Sequence, residues 1–188
     1  MHKNGAIDEL KIIDIGESPE IAQQYNIRSV PYYLINGVAF HGLMTQQQIE
    51  RLLQQNNNEK WQEFIKSELT EGQLDAVEKV VTQNSTARDA MMLLLKDSDT
   101  TLVVRIGLSA IIESIAGHGL LEKYESNFID LISHQDERIA IDAIYHLSLL
   151  ATDTGVNKLM EVAANKQHKL QSHAVEALQD LASEELKH

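Results

Sequence analysis

At 188 residues, with 43% apolar side chains and few glycines or prolines, the chain is long enough to bury one core or two small ones, and its composition excludes a disordered polymer. It contains no cysteine, which excludes disulfides, thiolate catalysis and Cys-based zinc sites and fits a reducing compartment. The net charge is -12, and residues 58–188 hold twelve Lys/Arg against twenty-two Asp/Glu, so nucleic acid and anionic membranes are not expected as partners.

In chain order, L-K-I-I-D-I at residues 10–15 is apolar on both faces, the pattern of a strand buried on both sides. Gly16-Glu17-Ser18-Pro19-Glu20 reads as a helix start, with Ser18 as N-cap and Pro19 at the first helical position. Ile21, Ala22 and Tyr25 give that helix an apolar face, and Asn26 suits a left-handed stop. Two β-rich runs, 32–35 and 38–40, flank Asn36-Gly37, the strongest short hairpin signal. Thr45 with Gln48 three residues on predicts a capping box for a helix reaching about Gln55. The polar tract Q-Q-N-N-N at 54–58 marks a boundary, giving a strand-helix-hairpin-helix domain over 1–56 and an all-helical domain over 57–188. No run approaches the roughly 18 apolar residues that span a bilayer, and the first residues lack the apolar core of a signal peptide, so a soluble cytoplasmic protein is expected.

The helical part repeats. V-V-R-I-G-L-S-A-I-I from Val103, I-A-I-D-A-I-Y-H-L-S from Ile139 and L-Q-S-H-A-V-E-A-L-Q from Leu170 align with offsets of 36 and 31 residues. Gly107, Ala143 and Ala174 then fall in register, followed by Leu108, Ile144 and Val175, and by Ile111, Leu147 and Leu178. Acidic turns, K-D-S-D at 96–99 and H-Q-D-E at 134–137, precede two copies, where helix N-termini favour carboxylates. Asn84-Ser85 suits the cap of an earlier helix. Over about residues 85–183 this pattern resembles HEAT-like repeats, an α-solenoid family. The resemblance implies close helix packing at the small residues, a turn aspartate capping each second helix, and a protein partner held on an acidic helical-repeat surface. The third copy departs from it, with N-K-Q-H in place of the acidic turn.

The first 56 residues resemble the C-terminal part of a thioredoxin or glutaredoxin-like domain, through L-K-I-I-D-I, S-P-E-I-A-Q-Q-Y-N-I-R-S-V-P, Y-L-I-N-G and the closing amphipathic helix. The expected fold is therefore a partial α+β thioredoxin-like domain followed by an all-α helical-repeat domain. From the residues alone, Pro31 reads as a trans proline opening an edge strand. The resemblance implies instead a cis proline beside a peptide cleft, with Ser29, Val30 and Pro31 as substrate or peptide-binding residues and Val30 offering its backbone N–H and C=O. The family's C-x-x-C, with the strand and helix that carry it, is absent, so no thiol–disulfide exchange is available to this chain.

The missing strand is central in the family's sheet. Three arrangements are compatible with its loss: direct pairing of the remnants, a strand from another chain (a route to homo-oligomers through the incomplete sheet), or a shortened chain whose cysteines lie upstream of Met1. The third is favoured, because the substrate-side proline is retained. The eight histidines do not form a metal site by spacing, since His168 and His173 lie five apart and His146 is on another helix. Gly117-His118-Gly119 reads as an inter-helix turn, no catalytic residue or cofactor is assigned, and no Ser-His-Asp pattern can be argued. The expected function is a redox-inactive protein-interaction module of thioredoxin-family descent, serving cell redox homeostasis. The alternative is a truncated thiol–disulfide oxidoreductase.

Overall fold

The computed structural model describes residues 7, 9–25 and 27–185. Over these residues the chain is mostly helical, with ten α-helices and one two-stranded antiparallel sheet. It divides into two compact units, the first ending at Phe64 and the second beginning at Ile65.

In the first unit the strand expected over residues 10–15 does not form. Residues 9–14 adopt no regular element, and Leu10 and Ile12 stand exposed. A strand is defined by hydrogen bonds to a neighbour, and apolar composition cannot substitute for a missing ladder partner. The segment ends instead in a turn, where Asp14 Oδ1 accepts from Gly16 N–H at 2.8 Å. Helix α1 (Pro19–Gln24) begins where expected, with Pro19 leading, but Ser18 holds the cap position without a side-chain cap bond. Asn26, the expected stop, lies outside the described residues.

Strands β1 (Tyr32–Ile35) and β2 (Val38–His41) form the hairpin, in register Tyr32 to His41 and Ile35 to Val38. Asn36 and Gly37 take φ of 52° and 84°, the left-handed pair of a type I′ turn, which matches the twist of the strands it joins. Pro31 stands just before β1, where its missing N–H breaks no ladder bond and its carbonyl accepts from Gly42 N–H at 3.0 Å. Thr45 and Gln48 form the expected capping box of α2 (Gln46–Gln54), whose Leu52 is fully buried. The polar tract then continues directly into α3 (Asn57–Thr70). Asn56 and Glu59 cap it reciprocally, at 2.8 and 3.0 Å, so these side chains start a helix within the polar tract.

The second unit is helical throughout its described residues: α4 (Leu74–Gln83), α5 (Ser85–Lys96), α6 (Leu102–Ile115), α7 (Glu125–Leu131), α8 (Glu137–Leu150), α9 (Asp153–Ala164) and α10 (Gln171–Glu185). Helix α4 packs on α5 and α6, α6 on α8, and α8 on α10, while α7 lies against α8 and α9, and α9 against α10. The in-register small residues are all buried. Gly107 is buried so close to Leu69 that an added Cβ would lie 2.9 Å from a Leu69 methyl, and Ala143 and Ala174 are likewise buried. Asn84 caps α5 by accepting from the Thr86 and Ala87 N–H groups, and Asp136 caps α8 by accepting from Arg138 N–H at 3.0 Å. Asp97, however, accepts from Asp99 N–H within its turn, and α6 starts at Thr101 without a side-chain cap. In the third turn His168 Nδ1 accepts from Leu170 N–H at 3.1 Å, as His134 Nδ1 does from Asp136 N–H at 3.0 Å, so an imidazole serves where the carboxylate is missing.

Candidate functional site

The predicted peptide-binding residues lie together ahead of β1. The Val30–Pro31 bond is cis. Val30 is 63% exposed, Ser29 is also exposed and Pro31 is half-buried. Val30 and Pro31 line an open groove of about 580 Å³ with Leu10, Ile13, Ile27 and Leu34, while Ser29 stands outside that lining. Among the described residues no hydrogen bond engages the Val30 N–H or C=O.

A second concave surface lies in the helical unit. Arg105 forms an ion pair with Asp142, and Ser109 Oγ lies 2.9 Å from His146 Nε2. Both contacts join residues 37 apart, so α6 and α8 run parallel and in step. Along their outer faces Leu102, Ile106 and Tyr145 are exposed at 68, 62 and 41%. With Ala110, Ile141 and Ser109 they border a groove of about 510 Å³ between the two helices. A neighbouring groove of about 490 Å³ between α8 and α10 shares Glu113, Ile141 and Tyr145 with it, which makes the surface continuous across three helices. Sequence reasoning did not single out this surface. Its signal was nevertheless present, as apolar residues at 102, 106 and 145 on two segments whose sequences align at an offset of 36 residues.

The charges on this surface are unequal in availability. Arg105, only 4% exposed, is held by Asp142 and also reaches the Leu95 carbonyl, and Arg138 is held by Asp136. The Arg138 fork keeps the Asp136 carboxyl down at about 2. Glu113, Glu176 and Asp180 border the grooves, are exposed, and are in no ion pair among the described residues. The surface therefore offers apolar residues edged by anionic side chains toward α10 and by paired charges of both signs between α6 and α8.

The Ser109–His146 pair brings together two groups that the sequence gave no reason to connect, and its environment argues against nucleophilic catalysis. His146 is 1% exposed and packs edge-to-face on Phe128 at 5.6 Å. Burial, with the Arg105 charge adding to it, pushes its pKa down to about 3. An imidazole held so firmly in the neutral state is a poor acceptor for a serine proton near neutral pH. The contact reads as a hydroxyl satisfying a buried ring nitrogen.

Among the described residues no group of histidines and carboxylates is arranged to hold a metal ion, and no helix is long and apolar enough to cross a membrane. Compared with known proteins, the chain matches no family model, no curated protein and no solved structure.

Proposed function

We propose that this chain is a non-enzymatic protein-interaction module, with a thioredoxin-like first unit and HEAT-like repeats that hold a protein partner on the α6, α8 and α10 face. The observation that carries this reading is the row of Leu102, Ile106 and Tyr145, large apolar side chains exposed beside a groove on helices whose opposite faces are fully buried. Contiguous exposed apolar surface of this kind marks interaction sites on soluble proteins. The repeat reading draws on the 36- and 31-residue sequence offsets, on two contacts between α6 and α8 at a near-equal spacing of 37, and on the buried small residues Gly107, Ala143 and Ala174. The thioredoxin-like reading draws on the Val30–Pro31 junction ahead of the β1–β2 hairpin and on the capped helix α2.

The test is comparative capture. Proteins crosslinked to the wild-type chain are identified by mass spectrometry beside those crosslinked to the Ile106→Asp and Tyr145→Asp variants. The reading expects crosslinks along α6 and α8 and their loss in both variants. An unchanged set of captured proteins refutes it. In parallel, an insulin-reduction assay should give no turnover above the reductant alone, because the chain has no thiol to exchange.

A further inference from the structure

Resting on that reading, we infer that the occupant of the α6, α8 and α10 face is a cationic amphipathic helix of about four turns. The helices bound the length: α6 and α8 each span 14 residues, about 21 Å of helix along which an occupant can lie. A helix laid along it would place apolar residues at i, i+3, i+4 and i+7 against Ile106, Ile141 and Tyr145. The edges set the sign. Glu113 borders both grooves and Glu176 and Asp180 the α8–α10 groove, all three exposed and in no ion pair among the described residues, whereas Arg105 and Arg138, which border the α6–α8 groove, are each held by an aspartate. Apart from His173, α10 contributes no basic side chain along its whole length. Lysines or arginines flanking an apolar stripe complement the α10 side of this face, where an acidic helix would meet Glu113, Glu176 and Asp180.

The same charge argument disfavours a second copy of this chain. With a net charge of -12, most of it in the helical part, two copies would repel each other across this face.

The experiment uses the full chain and two labelled synthetic peptides of about 16 residues with identical leucine stripes, one flanked by lysines and one by glutamates, read by fluorescence anisotropy. The lysine peptide should bind at least about tenfold more tightly than the glutamate peptide, and should weaken about tenfold between roughly 50 and 500 mM salt. Ile106→Asp should abolish binding. The Glu113→Gln, Glu176→Gln, Asp180→Asn triple variant should bring the two peptides to equal affinity. All these positions are exposed, and circular dichroism and thermal melting confirm that each variant is folded before binding is scored.

Equal binding of the two peptides to the wild type would overturn the cationic occupant while leaving the docking groove standing. Binding of the lysine peptide that survives Ile106→Asp would overturn the groove as its site. If neither peptide binds and Ile106→Asp also leaves the crosslinked proteins unchanged, the interaction reading itself fails. Self-association by sedimentation that Ile106→Asp removes would overturn the inference in favour of a second copy.

Discussion

Replacing His146 with glutamine should flatten the acid limb of this protein's stability curve. In the folded chain the imidazole contacts Ser109, Phe128 and Tyr145 and feels the Arg105 charge, so protonation would put a further cation into the interior. Its folded pKa of about 3 lies below the ordinary value of 6.5, so the unfolded chain binds the proton more readily. The stabilisation from the neutral ring is therefore complete above about pH 6.5 and is lost as pH falls toward 3. Over the whole window the two values correspond to an upper bound of about 5 kcal/mol, and between about pH 7.5 and pH 5 to about 2 kcal/mol. Urea unfolding at those two pH values measures it. Wild type should lose about 2 kcal/mol more than His146→Gln, whose amide can still meet Ser109 but cannot take a proton. Carboxylates and the other histidines contribute equally to both chains and cancel. Equal losses in the two would refute the argument that His146 is held neutral.

Three further expectations rest on the packing of the helical unit. Asp142→Ala leaves the buried Arg105 charge without its carboxylate and should cost about 2–4 kcal/mol in urea unfolding, more than the same change at the exposed Glu113. Gly107→Val drives a branched side chain into Leu69 and should cost at least about 2 kcal/mol, with Leu69→Ala in the same chain recovering part of the loss in a double-mutant cycle. Tyr124→Phe removes the hydroxyl that donates to Asp89 and should cost about 1 kcal/mol in thermal unfolding, while the Asp89 carboxyl, held below its ordinary value first by that bond, should titrate higher by NMR.

What could be read from the sequence is what local chemistry decides. Asn36-Gly37 demanded two left-handed residues and the Thr45 to Gln48 spacing demanded a reciprocal cap, and both are present. Pairing with distant groups was less legible. Residues 10–15 have the composition of a strand, but whether a ladder forms depends on a partner that no local pattern encodes. The Asn56 to Glu59 cap was visible as a spacing and was masked by the polarity of its neighbours, which resembles a linker. The Ser109–His146 and Arg105–Asp142 contacts join residues 37 apart, a pairing that no local pattern encodes. Neither residue pair carries a signal of its own. Of the trio expected to bind a peptide, Val30 and Pro31 lie on the wall of a groove and Ser29 outside its lining.

The packing order of the helices also bears on how the second unit opens. Each of its helices rests on neighbours in sequence or on the next but one, with α6, α8 and α10 following one another. Interactions of that range make cooperativity a relay: a helix pair is stable largely because the adjacent pair is. The relay thins toward α10, where Val175 and Leu178 are half-buried while their counterparts Leu108, Ile144, Ile111 and Leu147 are buried. Amide hydrogen exchange should therefore be graded along the chain, with α9 and α10 opening ahead of α6 and α8 in a sub-global step. The anionic rim of Glu176 and Asp180 would detach in that step, so a ligand that bridges α8 to α10 would act as a splint, raising the protection of the end it touches more than that of the middle.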